Sequence, residues 1–282
     1  AAIGKEDADA GADFGNGMKK DSQIAAAIAL RGMAKDGEFA VKNGGEKEKA
    51  EGAIKGVSEL LDKLVNAVKT AEGAASGADA IGAVEDTAAK AADKDSVTGI
   101  AKGIKEIVEA VGGAAKLNAA GDDKDGGNNK AGKLFGKADN ANGGDSEAAS
   151  KAAGAVSAVS GEQILSAIVA AAGADAGAQV GAKPDDAKNP IAAAIGDKDG
   201  EDGAEFDNMK KDSQIAAAIA LRGMAKDGKF AVKDAENEKE KAEGAIKEVS
   251  ELLDKLVKAV KTAEGAASGA DAIGAVEDTA AK

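Results

Sequence analysis

The apolar positions along this chain recur at helical spacing over long stretches. In residues 52–70, Ile54, Val57, Leu61, Leu64 and Val68 follow one another at three- and four-residue steps, the signature of an amphipathic helix. The same stripe returns as Ile246, Val249, Leu253, Leu256 and Val260. Residues 96–111 repeat the pattern with Ile100, Ile104, Ile107, Val108 and Val111; Asp95 or Ser96 can cap the start and Gly112-Gly113 the end. Residues 146–172 carry Val156, Val159, Ile164, Ile168 and Val169 on one broad side, with Asp145 or Ser146 as N-cap and Gly161 as a point of breakage. Residues 22–35 and 213–226 are apolar almost all round, which predicts that both are buried and central. A short helix is expected from Pro190 to Ile195, with Pro in its first turn and Gly196 after its end. Between these lie stretches rich in Gly, Asp, Asn and Lys, at 112–132, 138–145, 173–189, 196–208 and 234–238, and no strand alternation. The pattern predicts an all-α fold, an elongated helical bundle with long Gly/Asp/Lys-rich variable loops.

Self-similarity organises the chain further. Residues 18–42 and 209–233 differ only at Glu38 against Lys229. Residues 51–90 return at 243–282 with only Gly56 against Glu248 and Asn66 against Lys258 changed. This period is far longer than the roughly 20–50 residues of a solenoid repeat, so the repeating unit is domain-sized. The expected organisation is one cassette-length helical unit over 1–192, starting mid-unit, and a partial repeat of 1–90 over 193–282 packed with the first. Length changes fall between the helices: KEDADAGADFGNG (5–17) shortens to DKDGEDGAEFDN (197–208), and NGG (43–45) becomes DAEN (234–237). Surface loops accept such changes because they carry little packing.

Composition removes most chemistries. The 282 residues include no His, Cys, Trp or Tyr. There is no imidazole base at neutral pH, no thiolate nucleophile, no zinc–thiolate site and no disulfide. A net charge of −13 repels phosphate and speaks against nucleic-acid partners and against a peripheral membrane surface. Much of the 44% hydrophobic fraction is Ala. Leu, Ile, Val and Phe together fall below the roughly 20% that, with high charge, flags disorder, so the core is thin and Ala–Ala contacts carry much of it. No apolar run reaches the roughly 18–20 residues of a membrane span. The chain opens AAIGKEDADAGAD without a signal peptide, which reads as an internal piece of an exported product.

The remaining motifs are weak. Gly127-Asn128-Asn129-Lys130-Ala131-Gly132-Lys133-Leu134 has phosphate-loop spacing, but Leu134 stands where Ser or Thr is needed and no strand precedes it, so a flexible Gly-rich loop is the better reading. The acidic runs Asp197-Lys198-Asp199-Gly200-Glu201-Asp202 and Asp122-Asp123-Lys124-Asp125-Gly126 do not fit a calcium loop. Glu46-Lys47-Glu48-Lys49 reads as an exposed helix start. No cofactor, metal site or catalytic residue is expected. Two other readings stay open: a helical adhesin engaging a host surface protein through one face, and, less well supported, a carboxylate-based metal-dependent enzyme.

Several long segments resemble the variable surface lipoprotein family of Borrelia spirochaetes, the VlsE and variable large protein group. They are MKKDSQIAAAIALRGMAKDGKFAVK at 209–233, EGAIKEVSELLDKLVKAVKTAEGA at 243–266, KGIKEIVEAV at 102–111, SEAASKAAGAVSAVSGEQILSAIV at 146–169 and KNPIAAAIGDKDG at 188–200. The resemblance implies an all-helical surface antigen without catalysis. A helical frame would carry variable loops, host antibodies would be the partners, and a lipid anchor would hold the protein in the cell outer membrane. It also implies that 209–233 is an invariant antigenic helix, mostly buried, in which Met209, Lys210, Lys211, Gln214 and Arg222 are followed by Lys226, Lys229 and Lys233. The variable loops would include Asp122, Asp123, Lys124, Asp125 and Asn128, then Asp139 and Asn140. Lys183, Asp185 and Asp186 would mark a further loop, and Asp197, Lys198, Asp199 and Glu201 another. EGAIK occurs at Glu51–Lys55 and again at Glu243–Lys247, as at cassette junctions of that family, so the chain looks like tandem cassette sequence or a fragment.

Overall fold

The structure is a computed structural model that describes residues 19–33, 39–41, 59, 63, 66–75, 84–85, 91–110, 112–117, 125–136, 143–173, 179–197, 204–233 and 276–278. The chain forms two compact units, one of residues 1–66 with 261–282 and one of residues 67–260. The described elements run α1 (Asp21–Met33), β1 (Phe39–Val41), α2 (66–75), β2 (Val84–Glu85), α3 (Lys94–Ala110), α4 (Ser146–Ser157), α5 (Gly161–Gly173), α6 (Pro190–Ile195), α7 (Asp212–Met224), β3 (Phe230–Ala231) and β4 (Val276–Asp278). The protein is helical, as the periodicity predicts. Its strands are two or three residues long and make two parallel pairs, β1 with β4 and β2 with β3.

In the larger unit, α7 is the central element. Its face-to-face neighbours are α4, α5 and α6, with α3 also against it. Every residue of α7 except Gln214 is buried. The helices around it meet it largely through Ala: Ala148, Ala149, Ala152 and Ala155 of α4, Ala171 and Ala172 of α5, and Ala193 and Ala194 of α6 are all buried in one cluster. Small side chains leave little area per residue, so the helices must approach closely. α2 and α3 do this through Gly99 and Gly103, four residues apart on one side of α3. A Cβ on Gly103 would lie 2.6 Å from Ala71 Cβ and 2.7 Å from the Ala71 backbone nitrogen.

Helix boundaries follow local chemistry. The Asp145 side chain accepts from Ala148 N–H at 2.8 Å and starts α4. Removing it in Asp145→Ala should cost about 1 kcal/mol, within the 0.5–2 kcal/mol range of lost N-caps, measured as a urea midpoint shift. Asn189 caps α6 through Ala192 N–H, and Gly196 ends that helix at φ 73°. α3 ends as expected at Gly112-Gly113, both with positive φ, with Gly113 N–H on Val108 O at 2.8 Å. Its start is two residues earlier than expected, because the cap is Asp93 rather than Asp95 or Ser96: the Asp93 side chain accepts from the Ser96 N–H at 2.8 Å. The long apolar segment breaks at 158–160, just before Gly161, where Gln163 N–H donates to Ser160 Oγ at 3.2 Å to start α5, and α4 and α5 meet at 99°. Among the described residues no single helix is long and apolar enough to cross a membrane.

Three expectations need correction. The apolar pattern places both 22–35 and 213–226 at the centre, yet α1 is only partly covered: Ala27 and Gly32 are its buried residues among those whose burial is described, and Leu30 is 59% exposed where its counterpart Leu221 is 0% exposed. The Gly127–Leu134 stretch is no free loop. Asn129–Phe135 is a 3-10 helix packed on α4, with Ala131, Gly132, Leu134 and Phe135 buried. Gly132 is needed there, since a Cβ would meet Ala204 O at 2.6 Å. The end of the 173–189 stretch also folds inward, with Ala187 fully buried and Ala182 N–H on Ala192 O. The stripe at 246–260, and most of that at 52–64, lie outside the described residues; 66–75 are helical, with Ala67 buried.

Candidate functional site

The residues of 209–233 split sharply by exposure. Met209 and Arg222 are fully buried, Gln214, Lys229 and Lys233 are half-buried, and Lys210, Lys211 and Lys226 are exposed. The exposed groups sit at the two ends of α7, where Lys210 and Lys211 precede it and Lys226 with Asp227 follow it. In the folded chain, solvent reaches this segment at those ends and at the partly covered side chains.

Arg222 ties the end of α7 to its neighbours. Its Nε donates to Lys229 O at 2.7 Å and its Nη1 to Ala194 O at 3.0 Å, so one side chain joins α7, the end of α6 and the turn before β3. The guanidinium lies 5.5 Å from the Phe135 ring centroid. Phe135 also meets Phe206 and Phe230 edge-on, at centroid distances of 5.2 and 5.6 Å. Burial lowers the Arg222 pKa from its ordinary value to about 10. The group is therefore still a cation at neutral pH. Since its folded value lies below its unfolded value, the desolvation penalty is present in full at neutral pH and fades only as pH rises past about 10.

The turn at Ala225–Gly228 is tied to α3. Lys226 N–H donates to Ser96 Oγ at 2.9 Å and Asp93 N–H donates to Lys226 O at 2.9 Å. At the other end, Asn128 Nδ2 donates to Asp212 Oδ1 at 2.9 Å. Asn128 is buried, so this member of the predicted loop set is a packing residue at the start of α7. Its neighbour Lys130 is at the surface, and its pKa is raised by a hydrogen bond to Glu147 at 2.7 Å.

The other predicted loop positions are scattered. Asp125 and Asp186 are exposed, while Lys183, Asp185 and Asp197 are half-buried. The Asp185 carbonyl accepts from Asn208 Nδ2, which ties its turn to the chain before α7. Asp122, Asp123, Lys124, Asp139, Asn140, Lys198, Asp199 and Glu201 lie outside the described residues. The aromatic trio escaped sequence reasoning; its signal was that Phe206 and Phe230 flank the apolar segment at both ends. A depression of about 380 Å³ opens between α5, α6 and the start of α7, lined by Gln163, Asn189, Ser213 and Gln214 among others, with Lys211 its one charged side chain. Among the described residues no three acidic side chains converge as a metal site.

A buried helix pinned by Arg222 and held by Ala-rich neighbours, with polar chain segments outside it, defines an Ala-rich helical scaffold protein. The comparisons with known proteins agree. The sequence matches the Borrelia lipoprotein family over residues 1–60 and 49–264, and this chain belongs to that family. It is similar to variable large protein 4 of Borrelia hermsii, at 38% identity over 72% of this chain and 58% of the relative. Variable large protein 17 of the same organism is 34% identical over 70% of this chain and 56% of the relative. The chain thus spans a little over half the length of these curated relatives. The crystal structure of the Lyme disease variable surface antigen VlsE of Borrelia burgdorferi superposes with a TM-score of 0.68 at 61% identity, over 88% of this chain and 81% of that one.

Proposed function

We propose that this chain is a non-catalytic surface antigen for antigenic variation and evasion of host antibody. The carrying observation is the contrast inside the repeat. Helix α7 is identical in sequence to its counterpart and buried at all but one of its positions, whereas the segments just before it differ between copies in length and charge. A buried helix tolerates few substitutions, because each disturbs packing or leaves a polar group unpaired; polar connecting segments tolerate many. Epitopes can then change at little cost to the frame. The similar proteins carry variable and surface-antigen names, which supports the reading. In this reading the protein is held at the cell outer membrane by the lipid anchor its family name implies, and its partners are host antibodies.

The chain supplies its own test. Replacing Asp197–Gly203 by the sequence of Lys5–Gly11 exchanges one natural connecting segment for another. Thermal unfolding should shift by no more than about 2 °C, the size of a surface change within 0.5 kcal/mol. Binding by polyclonal serum raised against the parent chain should fall clearly. Unchanged serum binding, or a collapse of the melt, would count against the proposal.

A further inference from the structure

Two segments of this chain are equally suited to one place. Helices α1 and α7 are both DSQIAAAIALRGM, residue for residue. The identity extends over 18–42 and 209–233, apart from Glu38 against Lys229, and the group at position 229 that holds Arg222 is a backbone carbonyl. The first copy also carries Arg31 for Arg222, and Phe14 and Phe39 for Phe206 and Phe230. Most of what receives them occurs once: Phe135 and the Ala faces of α4 and α5 have no second copy in the chain, while the end of α6, Ala193-Ala194-Ile195-Gly196, recurs as Ala1-Ala2-Ile3-Gly4.

The strand pairing carries the same duplication. Phe39 pairs with Val276 and Ala40 with Glu277, while Phe230 pairs with Val84 and Ala231 with Glu85. Val84-Glu85 and Val276-Glu277 are equivalent positions of the repeat. The same parallel pair is therefore made twice, in one register, each time between strands of different copies. The uncrossed alternative, β1 with β2 and β3 with β4, makes the same residue pairs.

We propose that 18–42 is a resident second occupant for the place held by 209–233: within one chain, α1 enters among α4, α5 and α6 and β1 moves to β2, while α7 leaves and β3 moves to β4. The two arrangements use almost the same contacts, so little free energy separates them. The exposed Leu30 and buried Leu221 exchange environments. A segment of the same chain competes at an effective concentration on the order of millimolar, well above a second chain in dilute solution, which makes the exchange intramolecular. The device gives the frame redundancy at its most sensitive helix.

The test uses the full chain. Ile219→Asp puts a carboxylate at a position 1% exposed in α7, and Ile28→Asp makes the same change in α1. With exchange, each single variant keeps a cooperative melt within a few degrees of the parent, about the 2–4 °C that a small change produces, and only the double variant loses the transition. If Ile219→Asp alone loses the transition as completely as the double variant, the proposal is overturned. A second readout exploits the absence of Cys. In the Ile219→Asp background, Glu85→Cys with Ala40→Cys should oxidise to a disulfide within monomers, since paired strands meet disulfide geometry. No disulfide, or disulfide-linked dimers only, would overturn the intrachain assignment.

Discussion

Phe135→Ala is expected to be the most damaging single truncation in the larger unit. The side chain is 3% exposed and touches Phe206, Phe230 and the Arg222 guanidinium together. Its loss removes the transfer free energy of a buried ring, opens a cavity among groups that cannot collapse onto one another, and takes away the ring beside a buried cation. Phe→Ala truncations of this kind cost about 3–5 kcal/mol. For a unit of this size that corresponds to a fall in Tm of about 6–20 °C. Because whole-domain stabilities run only about 5–15 kcal/mol, a large share of the unit's stability should go. Urea unfolding followed by circular dichroism would measure it, with Val180→Ser, at a 74% exposed position, as the control expected within about 0.5 kcal/mol of the parent. A loss under about 1 kcal/mol, the size of an average point substitution, would mean that the aromatic trio is not the keystone the geometry makes it. The duplicated Phe14 and Phe39 offer no rescue, since both occupants of the central place would rest on Phe135.

The second large effect is expected at Gly103, and its sign is the informative part. An interior helical Gly replaced by Ala ordinarily gains about 1 kcal/mol from backbone propensity. At Gly103 the new methyl would stand 2.6 Å from Ala71 Cβ, 2.7 Å from Ala71 N and 2.9 Å from Ala67 O. Two of these are backbone atoms and cannot swing aside, so α2 and α3 must separate. Gly103→Ala should therefore destabilise by about 1–3 kcal/mol, the usual cost of overpacking, and Gly103→Val by more. At Gly161, the start of α5, an added Cβ would find nothing within 4 Å. Gly161→Ala should be neutral or slightly stabilising. If Gly103→Ala raised the urea midpoint as Gly161→Ala does, the close approach of α2 and α3 would be refuted.

Much of the frame is legible in the residues because it rests on local rules. The three- and four-residue spacing of Ile100, Ile104 and Val108 makes α3 a helix wherever it lies. Asp145 and Asn189 fix helix starts through side chains that reach only three residues. Gly112-Gly113 and Gly196 end helices because they adopt positive φ at little cost. The long apolar segment does break near Gly161, but at 158–160, where Ala158 closes α4 and Ser160 caps α5. The family, too, is readable, because long segments of the frame keep their residues.

The candidate site is less legible, for a reason that Asn128 shows well. In sequence it sits in a Gly/Asn/Lys stretch that reads as solvent-exposed loop. In the fold its amide reaches Asp212, 84 residues away, and is covered. Polar composition reports affinity for water, but a polar side chain can satisfy its hydrogen bonds inside the protein equally well, and only long-range contacts decide which occurs. Arg222 is the same lesson at higher cost: nothing local marks it as the buried member of a positive segment whose lysines stay at the surface.

What the sequence by itself determined is the helical class, most of the helix ends, the absence of thiol and imidazole chemistry, and the duplication. Only the tertiary structure decided which copy of the duplicated helix is central. α1 and α7 have the same thirteen residues and so the same propensity, apolar faces and charges. They differ in what surrounds them: α7 lies among α3, α4, α5 and α6 and is buried, while α1 is only partly covered. Burial is a property of the neighbours a segment finds, and a sequence repeated without its neighbours carries no instruction about which copy will find them.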